Sequence, residues 1–337
     1  MLYVTTRNNR DAFTAQRALL ENRGPDGGLY LPFHMPHFSG EDIQRLLEKP
    51  FNGCVAEVLN VLFRTELTGW DVDFSVGRFP VRLKTLHHRI LVGETWHNPD
   101  WTFDCLVSNL TLRLSSQVQT PGDWARIGVR IAVLFGIFGQ LRQSGIETAD
   151  ISVVSGDFSA PMSAWYARSW GLPIGNILCC CNENNSLWDL LCHGQLRADT
   201  IAVPTMIPEA DAAVPEDLER LIFECGGTLE VERYLEVCRS GGVYTPSESL
   251  LKRLREGVHV SVISTERVKH IIPSVFRTHG YLFDPAGALA YGGLMDYRAK
   301  TGQTHHAVIL SEKSPLKSMK SVAECLGVSE QEAMQWI

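Results

Sequence analysis

From Trp124 onward the apolar positions keep changing period. "DWARIGVRIAVLFGIFGQLRQSG" (123–145) carries apolar residues at helical spacing and predicts a helix with Asp123 as its N-cap. "ADISVVSGDFS" is a continuous apolar run closed by a Gly turn, the pattern of a buried strand. "APMSAWYARSWG" predicts a helix and "LPIGNILCCC" a second buried strand. Further helices are predicted in "EDLERLIFECGG", "SESLLKRLREG", "TERVKHIIPSVFRTHG", "GALAYGGLMDYRAKTG" and "KSMKSVAECLG", with "HHAVILSE" as a strand between the last two. Strands alternating with helices imply an α/β fold, an open and mostly parallel sheet with flanking helices.

The first hundred residues are more mixed. "DAFTAQRALLENR" and "GEDIQRLLEKPF" have helical spacing, "PDGGLYLP" is a turn into a short strand, and "HHRILVGETW" is a strand leading into a loop. Residues 106–123, "LVSNLTLRLSSQVQTPGD", break the composition with polar residues and a Pro-Gly. Three regions follow: 1–105, a junction at 106–123, and an α/β domain at 124–337.

Composition narrows the function. The 337 residues are 45% hydrophobic and 20% charged, with a net charge of -7. That balance gives no basic face for nucleic-acid phosphates. The longest apolar segment, "IAVLFGIFG", is too short to span a membrane, and the N-terminus has no signal-peptide core. A cytoplasmic protein is expected, with neither nucleic acid nor membrane as partner. Nine cysteines include the run Cys179–Cys181. Alternate side chains on a strand point to opposite faces, so this run reads as small residues in a buried strand and not as a metal site.

In a doubly wound sheet, ligands sit at the carboxyl ends of strands. Two loops occupy such ends. "VVSGDFSAP" (153–161) joins a strand to a helix, and its Ser155, Gly156, Asp157 and Phe158 are candidates for a phosphate cradle. "ILSEKSPLKS" (309–318) follows the last strand and brings Glu312. A third stretch, "ETWHNPDWTFDC" (94–105), groups Glu94, His97, Asp100 and Asp104, residue types suited to acid–base work.

These stretches, in order, resemble threonine synthase, a fold-type II pyridoxal phosphate family. "YVTTR" and "DGGLYLP" are similar to that family's opening, and "ETWHNPDWTFDC" to its "E-L-F-H-G-P-T-x-A-F-K-D". "DWARI", "VVSGDFSAPMSAWYARSWGLPI", "CNENN", "TMIPEADAAVPEDLERLIFECGG" and "FDPAGALA" follow its later motifs. The resemblance implies a phosphate loop at Ser155–Phe158, a phosphate-side arginine at Arg126, and His97 as a motif histidine.

The departures from the family point away from its chemistry. Its aldimine-forming lysine is replaced by Asp104, and a carboxylate cannot condense with an aldehyde. The chain has eight lysines, none between Lys84 and Lys252; Lys313 and Lys317 lie near the opposite loop. About fifteen residues separate Cys105 from "DWARI", so the small domain that closes over substrate is expected to be deleted. The family's Asn is Asp157, which sets a negative charge beside the expected phosphate, and its following Gly is Ser159. Glu312 stands where a hydroxyl would meet the pyridine nitrogen; a carboxylate there suits a protonated pyridine, so this change alone does not exclude the cofactor. No cofactor is expected, with pyridoxal phosphate implied by resemblance alone.

Three readings stay open. The first is a binding or regulatory pseudoenzyme, with a small amino-acid-like ligand or a protein partner at the surface left by the missing domain. The second is a repurposed enzyme in amino-acid-derived biosynthesis, using Asp104 and His97 with Arg126. The third is a conventional lyase with a relocated lysine.

Overall fold

Buried β-branched and cysteine-rich strands form the centre of the molecule, and this computed structural model describes residues 1–77, 81–96, 102–115 and 121–336. The chain opens with three short strands, β1 (Leu2–Thr5), β2 (Phe13–Thr14) and β3 (Tyr30–Pro32), paired antiparallel in the order β2-β1-β3. Around them lie α1 (Ala15–Leu20), α2 (Gly40–Glu48), α3 (Phe51–Phe63) and α4 (Gly69–Val76). Then come β4 (Arg82–His87), β5 (Ile90–Glu94), α5 (Phe103–Leu114) and α6 (Asp123–Gln143).

The βα alternation follows as predicted. It comprises β6 (Ala149–Val154), α7 (Ser159–Ser169), β7 (Ile174–Cys181), the single turn α8 (Ser186–Trp188), β8 (Leu196–Arg197), α9 (Leu218–Gly226) and α10 (Thr228–Ser240). Next are β9 (Val243–Tyr244), α11 (Glu248–Leu254), β10 (Val258–Val262), α12 (Thr265–His279) and α13 (Pro285–Thr301). The chain closes with β11 (Ala307–Ser311), α14 (Met319–Leu326) and α15 (Glu330–Met334).

Six strands make the central sheet in the order β10-β7-β6-β11-β5-β4, parallel except for the antiparallel β4–β5 edge hairpin. The fold is therefore α/β with flanking helices, as expected. The hairpin comes from the first region, so residues on both sides of 106–123 share one sheet. Cys179, Cys180 and Cys181 sit fully buried in β7, where burial holds the thiols up in their protonated form.

Three local expectations differ. The segment taken as a junction starts inside α5, whose Leu106, Val107, Leu110 and Thr111 are buried, while Ser108, Asn109 and Arg113 lie on its less buried face. Asp123 is not the cap of α6: Gly122 holds that position, and Asp123 is the first helical residue. α3, α4 and α10 lie in stretches to which no element was assigned. α6 is long and apolar enough to span a membrane, but it is the core helix, with all but a few of its residues buried.

Candidate functional site

A cleft of about 320 Å3 opens at the carboxyl ends of β6 and β11. Ser155, Gly156, Asp157 and Ser159 line one wall, Glu312 and Lys313 a second, Glu209 and Asp211 a third, and Arg126 and Arg130 the floor. The two loops singled out in the sequence thus meet across one cavity. A second cavity adjoins it, lined by Asp104, Arg126, Asp157 and Ser159 among others, so Arg126 and Asp157 belong to both.

The loop after β6 turns tightly. Gly156 has φ +43°, and a Cβ there would collide with the carbonyl oxygen of Glu209, so glycine is required. Phe158 follows at φ 72°, buried, and hands the chain into α7. The Asp157 carboxylate folds over the start of that helix. Its Oδ1 accepts from the Ser159 backbone N–H at 2.9 Å and from the Ser159 hydroxyl at 2.7 Å. A helix N-terminus offers N–H donors and a partial positive charge to an anion, and here the chain's own carboxylate takes part of that role.

The cations of the cleft face carboxylates. Arg126 and Arg130 are four residues apart on α6 and so share a face. Arg126 pairs with Asp104 across from α5, both half exposed. Arg130 is buried and makes a two-pronged pair with Glu312, Nε to Oε1 at 2.5 Å and Nη2 to Oε2 at 2.9 Å, while stacking over Phe103 at 4.4 Å. Lys313 Nζ lies 2.7 Å from Glu209 Oε1. The α5 start is tied to this loop as well: the Phe103 N–H donates to the Glu312 carbonyl at 2.9 Å, and Thr102 bridges Lys313.

Asp284 completes the cavity. It caps α13, accepting from the Gly287 N–H at 3.0 Å, and burial pushes its carboxyl up to about 7 against the pull of that N–H.

Of the residues singled out from the sequence, Arg126, Ser155, Gly156, Asp157 and Glu312 line the cleft. Asp104 reaches it through Arg126, and Phe158 shapes the loop from beneath. Glu94 does not join Asp104: it is buried, accepts from the Tyr281 hydroxyl at 2.9 Å, and lies 3.3 Å from Lys84 Nζ. His97 and Asp100 fall outside the described residues. Arg130, Glu209, Asp211 and Asp284 were not anticipated. Arg130 had a signal, an arginine inside "RIGVRIAVLFGIFG" with apolar residues at its i−3, i+3 and i+4 positions, which demands a buried partner. Among the described residues, no group of three or more His, Cys, Asp or Glu side chains is placed to hold a metal ion.

Comparison with known proteins points one way. A family profile for the threonine synthase N terminus matches residues 2–76. A threonine synthase of Pseudomonas aeruginosa is 26% identical over 438 aligned positions, covering 99% of this chain and 92% of that protein. Because 438 positions are matched against 337 residues, at least 101 positions of that protein have no counterpart here. The human threonine synthase-like 1 is 28% identical over 177 residues, 50% of this chain and 24% of that one. The pyridoxal phosphate-bound threonine synthase of Brucella melitensis superposes with a TM-score of 0.85 at 20% identity, covering 97% of this chain and 92% of that one. The yeast enzyme superposes at 0.82 and 16% identity, covering 97% and 90%.

Proposed function

Since the chain is threonine-synthase-like in family and fold, we propose that it is a binding protein of regulatory role whose cleft does not carry aldimine chemistry. The observation that carries this reading is the Asp157 carboxylate seated on the N-terminus of α7. A phosphate brought to that loop meets a like charge. At ~4 Å and an effective dielectric of ~20, each pair of unit charges costs about 4 kcal/mol.

Pyridoxal phosphate does not fit the residues present. The aldimine lysine implied by the resemblance is Asp104, which is held by Arg126. Glu312, the residue expected opposite the pyridine nitrogen, is engaged on both oxygens by Arg130. The cleft instead suits a small zwitterion. Arg126 is half exposed and its partner Asp104 is more so, so a ligand carboxylate can exchange with Asp104. Carboxylates outnumber cations along the walls, which favours an ammonium group. An amino acid has both ends; a phosphate ester adds the charge that Asp157 repels.

The test is a titration of the purified protein with pyridoxal phosphate, followed by borohydride reduction and peptide mass spectrometry. No aldimine absorbance and no pyridoxyl-lysine adduct are expected. A stoichiometric adduct on Lys313, the lysine that lines the cleft, would instead support a lyase with a relocated lysine.

A second reading, a repurposed enzyme, is favoured by Asp284 alone. A buried carboxyl near 7 beside Lys313 and Glu209 is poised to donate or accept a proton at neutral pH. It requires turnover of some amino acid or phosphoamino acid that is lost in Asp284→Asn, and the binding reading requires none.

A further inference from the structure

The opposite end of the sheet carries a cluster that the cleft does not explain. At the amino ends of β5 and β11, a cavity is lined by His87, His88, Arg89, Met295 and Arg298. The β4–β5 hairpin supplies the first three residues, and the last turns of α13 supply the other two. Here no carboxylate is placed to pair with either guanidinium among the described residues, although the chain as a whole is acidic.

The hydrogen bonds of these arginines go to backbone oxygens. Arg298 Nη2 donates to the His305 carbonyl at 2.6 Å and, at 3.4 Å, to that of Arg89. Arg89 Nη1 donates to the Thr304 carbonyl at 3.3 Å. These bonds fix both heads and leave donors over. A guanidinium has five N–H groups, and Arg89 is committed through one of them. The C-terminus of α13 contributes roughly half a negative charge, which is short of neutralising two arginines.

Imidazoles gather on the same spot. The rings of His87 and His88 lie 4.6 Å apart, and those of His87 and His279 4.9 Å apart. Burial lowers the His87 and His306 pKa values, and the neighbouring positive groups lower them further: His88, His279 and Arg298 for His87, and Arg89 and Arg298 for His306. Arg89 is also held at φ +58°, a left-handed conformation that costs a non-glycine residue about 1 kcal/mol or more. The buried Asp150 carboxylate acts on Arg298 from a distance but forms no ion pair with either arginine among the described residues, so the positive groups around this cavity outnumber the negative charge within reach.

We propose that this cavity is a binding site for a small, multiply charged oxyanion, held by Arg89 and Arg298 with His87 and His88 at its rim. The planar forks of two arginines fit phosphate or carboxylate oxygens in pairs. The Met295 side chain gives one apolar wall and leaves room for more than a bare ion. The site lies toward the other end of α13 from the cleft, roughly 17 Å away along the helix axis.

The test is calorimetric titration of the full chain with pyrophosphate, and separately with citrate, at pH 7 and constant ionic strength. Histidine ring resonances are followed by NMR in parallel. Saturable binding is expected, with shifts at His87 and His88 and about a tenfold loss or more in Arg89→Gly, the loss of one charge-assisted pair. The two ligands separate a phosphate site from a carboxylate site; binding of either supports the proposal. Absence of saturable heat overturns it, as does binding unchanged in Arg89→Gly. Binding lost in Arg126→Gln and kept in Arg89→Gly would move the anion to the cleft, which overturns this site and the closed-cleft reading together. Arg298→Lys keeps a charge and one donor on the two carbonyls, and should weaken binding without unfolding the protein.

Discussion

The two ends of α13 face charge clusters built on opposite plans. At its amino end Arg126, Arg130 and Lys313 each meet a carboxylate supplied by this chain, and Asp157 covers the neighbouring helix start. At its carboxyl end Arg89 and Arg298 make no ion pair among the described residues, with the buried Asp150 acting on Arg298 only at longer range, and histidines crowd in beside them. On the function proposed above, the cleft is an anion site silenced without losing its cavity, by acids written into the chain opposite its cations. A site that still expects an anion keeps its cations unmatched and bears the electrostatic cost until the ligand arrives.

The sharpest way to break this comparison is to remove one carboxylate from the cleft. Glu312→Gln leaves the buried Arg130 without its paired carboxylate, with only Asp157 and Asp104 acting on it from farther off. Breaking a buried pair from one side costs about 3–5 kcal/mol; Glu312 is partly exposed, so the lower end is expected, read as a drop in the denaturant midpoint. Replacing both partners, Arg130→Met with Glu312→Leu, should recover most of the loss. If Glu312→Gln is neutral, the pair is not what closes the cleft.

Next in size is the effect of pH. Burial raises Asp284 from 3.8 to about 7 and Glu224 from 4.5 to about 7, the latter against the pull of the Tyr166 hydroxyl. In both cases the folded state holds its proton more tightly than the unfolded chain does. Their contribution is therefore fully present below about pH 4 and is lost as pH rises through 7. Stability followed from pH 4 to 7.5 should carry this decline. Asp284→Asn keeps the cap on Gly287 and should shallow the slope, leaving the shares of Glu224 and of Asp123, which burial also raises. A slope unchanged in Asp284→Asn would take Asp284 out of consideration as a neutral-pH acid.

Asp157→Ala is smaller in stability and larger in meaning. Loss of the Asp157 bonds to Ser159 costs about 1 kcal/mol, and an exposed α7 N-terminus should gain affinity for inorganic phosphate. Phosphate binding unchanged by this substitution would mean that Asp157 is not the group excluding anions from the loop.

How much of this was legible in the sequence depends on the range of the interaction. The βα alternation was readable because period and turn residues are local, and the two loops of the cleft were readable because a parallel sheet brings its strand ends together. α5 was hidden, since "SNLTLRL" mixes Ser108, Asn109 and Arg113 on its less buried face with a buried polar residue, Thr111, on its inner face. The charge pairs were hidden more deeply. Arg130 and Glu312 are 182 residues apart, and nothing in either neighbourhood names the other. Arg126 and Asp104 were both singled out, yet their pairing could not be read from spacing. The basic cavity was missed because His87 to Arg89 read as the start of a strand; only the fold sets Arg298 beside them.

Arg89→Gly is the smallest effect and the most discriminating. Glycine adopts φ +58° freely, so the substitution relieves the hairpin and removes one long, exposed hydrogen bond to Thr304. A net stabilisation below about 1 kcal/mol is expected, measured as a small rise in melting temperature without added anion. The rise in melting temperature that pyrophosphate gives the unaltered protein should vanish in the same variant. A residue that makes the free protein less stable and the liganded protein more so is there for the ligand. If Arg89→Gly destabilises the free protein instead, the left-handed arginine serves the hairpin, and the contrast between the two ends of α13 is one of packing and not of binding.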